Sequence, residues 1–83
     1  MELGGNIELI NFDDIEHGKL IVIKKLIGNL TKEITDKNFK NIKIELNNKE
    51  IDIKLTLKDK IKTSKESDEN IFYAINKAFK KLK

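Results

Sequence analysis

The segment 20–35, LIVIKKLIGNLTKEIT, is the longest apolar stretch of the chain and constrains the fold most. Its apolar residues recur at alternating steps of three and four: Leu20, Ile23, Ile27, Leu30 and Ile34. This spacing is typical of a helix that buries one stripe against a core. We therefore predict a first helix that begins at about His17 or Lys19 and ends near Asp36.

One flank of this predicted helix is basic. At about 100° per residue, Lys24, Gly28 and Lys32 fall along the same flank of the apolar stripe, and Lys25 lies beside them. A glycine inside a helix costs roughly 1 kcal/mol relative to alanine. Gly28 either lets another element pack closely, which is the commoner reason, or lets a sugar-phosphate backbone approach the helix. The sequence leaves both interpretations open.

Strand patterns follow the first helix. Apolar residues alternate with polar ones in two segments, at Ile42, Ile44 and Leu46 and then at Ile51, Ile53, Leu55 and Leu57. A two-residue turn at Asn47–Asn48 would set Ile44 opposite Ile51 and Lys43 opposite Asp52. We expect a short strand before the first helix, in residues 6–12, and a weak edge strand at Ile61–Lys65.

The last segment predicts a second amphipathic helix. Residues 67–70 offer an N-cap and first-turn acids. The apolar stripe consists of Ile71, Ile75, Ala78 and Leu82, flanked by Phe72 and Phe79, and the opposite face carries Tyr73, Lys77 and Lys80. The predicted fold is a single α+β domain over residues 1–83, in the order β-α-β-β-β-α. Its two layers place both helices on one face of a four-stranded, mostly antiparallel sheet.

Charge is unevenly distributed along the chain. The first eighteen residues hold five acids and no lysine, whereas the remainder holds seventeen lysines, nine acids and no arginine. Such asymmetry is typical of a polyanion-binding surface, although a solvated lysine face or a biased composition would give the same count. We see neither a signal peptide nor an apolar run long enough to span a membrane, and expect a cytoplasmic protein without a membrane partner.

Side chains suited to catalysis or metal binding are scarce. His17 is the only histidine, there is no cysteine, and Asp13, Asp14 and Glu16 lack the spacing of a calcium-binding loop. Gly4 and Gly5 do not form a phosphate-binding loop of the strand-turn-helix type. We expect no enzyme, no catalytic residue, no metal, no cofactor and no small-molecule substrate.

RNA binding agrees better with the lysine pattern. The candidate RNA-binding residues are Lys24, Lys25, Gly28, Lys32, Tyr73, Lys77, Lys80 and Lys81. Lysine contacts a phosphate as a point charge, and an exposed tyrosine can stack on an unpaired base, although Tyr73 would serve equally well at the rim of the core. The alternative function is a protein-interaction module, with a homodimer paired through the edge strand Ile61–Lys65 and no RNA.

The C-terminal segment SDENIFYAINKAFKKLK resembles the ribosome hibernation-promoting factor family, the RaiA-like ribosome-associated inhibitors. The likeness lies in acidic residues, an aromatic followed by Ala-Ile and a lysine-rich tail: Asp68, Glu69, Tyr73, Ala74, Ile75, Lys77, Lys80 and Lys81. It implies two helices on one side of a four-stranded sheet, and binding to the small ribosomal subunit that blocks the messenger and transfer RNA channel. The element order also resembles a double-stranded-RNA-binding domain preceded by one strand.

Overall fold

The computed structural model of the chain describes residues 6–33 and 40–82. Six elements follow one another in the predicted order: β1 (Ile7–Ile10), α1 (His17–Glu33), β2 (Asn41–Asn47), β3 (Glu50–Thr56), β4 (Ile61–Ser67) and α2 (Ile71–Lys80). The α+β class and the β-α-β-β-β-α order are confirmed. The expected end of the first helix, near Asp36, lies outside the described residues.

The four strands form one sheet in the order β1-β2-β3-β4. β1 pairs in parallel with β2, whereas β2–β3 and β3–β4 pair antiparallel. The sheet is therefore mixed, which refines the expected mostly antiparallel arrangement. The parallel pair arises because α1 carries the chain back to the end of the sheet where β1 began, as a crossover helix does.

The predicted register of the central hairpin is wrong by two residues. Ile44 lies opposite Ile53 rather than Ile51, and Lys43 lies opposite Lys54 rather than Asp52. Asn47 pairs with Glu50, so Asn48 and Lys49 form the turn. Asn48 has a positive φ of 56°, a conformation that asparagine tolerates well. Since the shift is an even number of residues, every apolar side chain keeps its predicted face.

The two edge strands differ in length from the expectation. β1 is shorter than residues 6–12, because Asn11 has a φ of 66° and turns the chain away from the ladder. β4 extends to Ser67, two residues beyond the predicted end. The apolar–polar alternation of β4 is weak because a serine occupies its central core-facing position. Ser64 donates a buried hydrogen bond of 2.8 Å from Oγ to the Ala78 carbonyl, which ties β4 to α2.

The core lies between one face of the sheet and the two helices. Its fully buried side chains include Leu9, Ile23, Ile27, Ile42, Ile44, Ile51, Ile53, Leu55, Ile75 and Phe79. Removing such a side chain from water contributes about 1.5–3 kcal/mol. The predicted stripes of both helices are confirmed among the described residues, and Ile34 lies outside them. The sheet's opposite face bears exposed polar side chains such as Lys43, Lys54 and Lys65.

Both helices run in the same direction. α1 returns from the end of β1 and α2 returns from the end of β4, and these two strands run parallel in the sheet. The N-termini of α1 and α2 consequently lie at one end of the molecule, together with the β2–β3 turn. The C-termini lie at the other end with the β3–β4 turn.

Candidate nucleic-acid interface

The end at which the helices begin is acidic. Three connections lie there, residues 11–16, 48–49 and 68–70, and we call them together the acidic end. Within them stand five acids, Asp13, Asp14, Glu16, Asp68 and Glu69, against the single cation Lys49. A phosphate backbone would be repelled from this part of the surface.

The opposite end is basic. We give the name basic end to the described residues at the helix C-termini, just before β2 and in the β3–β4 turn. It carries six lysines, Lys32, Lys40, Lys58, Lys60, Lys80 and Lys81, against the two acids Glu33 and Asp59. The chain is therefore polarised along its helices.

The helices explain only part of this polarity. Acids near helix N-termini and lysines near C-termini each contribute about 0.3–1 kcal/mol through the helix dipole. Asn70 also caps α2, since its side-chain oxygen accepts a hydrogen bond of 2.9 Å from the Phe72 amide. Lys40, Lys58 and Lys60 lie on strand connections instead. The helix dipole therefore does not by itself account for their position.

The basic flank of α1 is open. Lys25 and Lys32 are exposed and Lys24 is half-buried. Within the described part of the chain, no ion pair engages any of these three lysines. A Cβ atom added to Gly28 would meet nothing within 4 Å. No described element packs closely on this glycine, so the commoner interpretation of Gly28 finds no support and the approach of a ligand backbone stays open.

The lysines of α2 are engaged differently. Lys77 Nζ lies 2.8 Å from Asp68 Oδ2, and Lys81 Nζ lies 2.5 Å from Glu66 Oε1. Lys81 Nζ also donates to the Lys65 carbonyl of β4 at 3.5 Å. These ion pairs place the basic flank of α2 along β4 and neutralise part of its charge.

The pKa values of these groups follow from the ion pairs. The hydrogen bond from Lys77, and then that from the Asn70 amide, lowers the pKa of Asp68. The hydrogen bond from Lys81 lowers the pKa of Glu66. The Asp68 carboxylate in turn raises the pKa of Lys77. Asp68, Glu66 and Lys77 are thus charged near neutral pH.

Tyr73 and Lys80 occupy the outer face of α2. The Tyr73 side chain is 61% exposed, which favours an accessible ring over packing at the rim of the core. No ion pair engages Lys80 among the described residues. Seven residues of helix separate Tyr73 from Lys80, roughly 10 Å along the axis. Tyr73 is therefore nearer to the acidic end than the lysines that it would assist.

The two groups of lysines face opposite sides of the helical layer. Lys19 lines a groove with Ile71 and Phe72 of α2, so this flank of α1 faces α2. Lys24 and Lys32 each lie about 140° around the helix from Lys19 and face away from α2. All the predicted residues thus lie in the helical layer, but of these only Lys32, Lys80 and Lys81 meet at the basic end.

No protein-family model matches the sequence, and a search of curated proteins finds no match either. Six solved chains are similar to this one, and two of them illustrate the shared fold. A ribosomal subunit interface protein from Coxiella burnetii matches with a TM-score of 0.68 at 13% identity, over 93% of this chain and 86% of that one. The Protein Y N-terminal domain of Thermus thermophilus matches with a TM-score of 0.58 at 19% identity, over 94% and 88%.

The chain shares the fold of these two proteins. The resemblance to the ribosome hibernation-promoting factor family is confirmed at the level of the fold. In residues 6–33 and 40–82, no three His, Cys, Asp or Glu side chains are grouped so that they could hold a metal ion. No helix of the described chain is long and apolar enough to cross a membrane.

Sequence reasoning overlooked three lysines of the basic end. Lys40, Lys58 and Lys60 lie near the C-termini of the helices because the strands return the chain to that end. The sequence analysis gave none of these three lysines a role in RNA binding. The signal that would have revealed them is the predicted topology itself, with the lysines sorted by the end of the sheet that they occupy.

Proposed function

We propose that the chain is a non-catalytic RNA-binding protein that associates with the ribosome in the cytoplasm, on the small subunit, and silences translation. The observation that carries the proposal is the open basic flank of α1, continuous with the lysines of the basic end. The shared fold with a ribosomal subunit interface protein adds support.

The chemistry of this surface suits a structured RNA backbone. Lys24, Lys25 and Lys32 present ammonium groups that have no counterion among residues 6–33 and 40–82. Lysine contacts position a backbone without reading a base. Gly28 leaves room between them for a sugar-phosphate chain. Tyr73 supplies one exposed ring on which an unpaired base can stack. The acidic end would orient the protein, because it repels the same RNA.

The test is co-sedimentation of the purified protein with ribosomes and with separated subunits, at low and high salt. We expect association with the small subunit that weakens steeply with salt, by about 0.7–0.9 in the logarithmic slope for each phosphate contact. The large subunit serves as the matched control, since its RNA offers the same phosphates. Absence of association at low salt, or equal binding to both subunits, would contradict the proposal.

Dimerisation through β4 remains the alternative. β4 is an edge strand, as predicted, and Ile61 at its start is 56% exposed. The contact of Lys81 with the Lys65 carbonyl opposes it, because an ammonium group then occupies a backbone acceptor that a second strand would need. A dimer that persists at high salt and has no RNA affinity would favour this alternative.

A further inference from the structure

A groove opens between the beginnings of the two helices, within the acidic end. Its volume is about 710 Å³. Its apolar lining consists of four side chains that are only partly buried: Ile15, Leu46, Ile71 and Phe72. Leu46 comes from β2 and the others from the segments around the starts of α1 and α2. The core therefore continues to the surface at this point instead of being closed by polar side chains.

The rim of the groove is mainly acidic. Asp14, Glu16 and Glu69 line it, together with Asn70 and one cation, Lys19. Glu69 lies 3.7 Å from Lys49 in an exposed ion pair, which contributes little stability. Asp14 and Glu16 are exposed, and no ion pair engages them within residues 6–33 and 40–82. The rim thus keeps a net negative charge.

We propose that this groove docks a basic segment of a partner protein. One or two apolar side chains of that segment would enter between Ile15 and Phe72, while flanking lysines or arginines face Asp14 and Glu16. An apolar centre with a charged rim is the usual anatomy of a protein–protein contact. The sign of the rim determines the partner, because RNA and anionic lipid would both be repelled by it.

The site is independent of the proposed RNA interface. The groove lies at the acidic end, between the starts of α1 and α2, whereas the lysines that carry the RNA proposal, Lys24, Lys25 and Lys32, lie on the flank of α1 that faces away from α2. Both sites can therefore be occupied at once. The proposal stands even if the chain binds no RNA.

The probe is a synthetic twelve-residue peptide of alternating lysine and leucine pairs, titrated into the isotope-labelled full chain and followed by amide chemical shifts. We expect shifts centred on Ile15, Leu46 and Ile71. Control peptides of the same length replace leucine by serine or lysine by glutamate, and neither should bind. Equal binding of the lysine–serine peptide would overturn the proposal, because it would reduce the site to nonspecific attraction of cations.

Matched variants then locate the contact. Asp14→Lys should weaken peptide binding by about tenfold, or 1.4 kcal/mol, whereas Asp59→Lys, the same change at the basic end, should leave it unaltered. Ile15→Ser leaves the charge of the groove unchanged and tests its apolar lining. A thermal melt of each variant checks that the fold is kept. Equal effects of Asp14→Lys and Asp59→Lys would overturn the proposal.

A second copy of the chain is the competing occupant. Ile61 is exposed between Lys60 and Lys62, so this segment itself has the chemistry that the groove would bind. Light scattering of the protein alone tests this possibility. Self-association that Ile61→Asp and Asp14→Lys each abolish would replace the partner protein by a second copy, and a monomer at all concentrations would support the proposal.

Discussion

The two helices look alike in sequence and differ in the structure. Each is amphipathic, and each carries three lysines proposed for RNA when Lys81, the C-cap of α2, is counted. Those of α1 have no internal counterion among the described residues, whereas two of the three on α2 pair with acids of β4 and of the loop that follows it. A basic helix is thus a weak guide to a basic surface, because its neighbours in the fold decide how much charge remains available.

The strongest test of this difference reverses the charge of each helix in turn. Lys24→Glu, Lys25→Glu and Lys32→Glu together should lower RNA affinity by at least about a hundredfold at low salt, since three phosphate contacts are lost and three repulsions are added. The corresponding triple change of Lys77, Lys80 and Lys81 to glutamate should lower RNA affinity by a smaller factor. Co-sedimentation with small subunits, or filter binding of their RNA, measures both.

A variant of the open sheet face provides the control. Lys43→Glu with Lys54→Glu changes exposed lysines on the face that the helices do not cover. It should leave RNA affinity nearly unchanged, and circular dichroism should show all variants folded. If this pair lowers affinity as much as the α1 triple change, net charge rather than position governs binding, and the difference between the helices has no consequence.

The second test makes α2 resemble α1. Glu66→Gln with Asp68→Asn removes the carboxylates that hold Lys81 and Lys77, and leaves both lysines in place. RNA affinity should rise by about threefold to tenfold, and the logarithmic salt slope should steepen by about 0.7–0.9 for each released lysine that reaches a phosphate. The same kind of change at Glu45, on the sheet face that the helices do not cover, is the control. Unchanged affinity would mean that α2 lies outside the interface.

Much of the fold could be predicted because it depends on local periodicity. The stripe at Ile23 and Ile27 and the alternation at Ile51 and Ile53 each require one face to be buried, and the order of elements then permits few arrangements. The hairpin register could not be read, since Asn47–Asn48 and Asn48–Lys49 keep the same faces buried. Only the pairing of Asn47 with Glu50 in the structure distinguishes them.

The candidate site was less predictable than the fold. The exposure of Tyr73, Lys25 and Lys32 follows from the helical period. The ion pairs of Lys77 and Lys81 do not, because Asp68 and Glu66 approach them through the packing of α2 along β4. The groove was missed for the same reason: Ile15, Leu46 and Phe72 come from three separate elements, and only the fold brings them together.

A smaller effect is expected at Gly28. Because a Cβ there meets nothing within 4 Å, Gly28→Ala should raise the free energy of unfolding by about 0.5–1 kcal/mol through the better helix propensity of alanine. If an RNA backbone approaches this glycine, the same variant should bind small-subunit RNA more weakly despite its greater stability. Denaturant unfolding and RNA binding, measured together, separate the two effects. Asn29→Ala, next in the helix, is the control for propensity alone.

The smallest effect concerns pH. The pKa values of Asp68 and Glu66 lie below their ordinary values of 3.8 and 4.5. Their contribution to stability is therefore present above those values and is lost as pH falls through the lower pKa values of the folded state. Melting temperatures of the wild type and of Glu66→Gln with Asp68→Asn should differ near neutral pH and converge in acid. Lys77 gives the opposite sign, since its raised pKa makes its contribution vanish as pH rises above the ordinary 10.5. If the two melting temperatures instead differ by the same amount at every pH, these exposed pairs are too well screened to stabilise the fold. In that case α2 holds its lysines only loosely, and the two helices differ less than their ion pairs indicate.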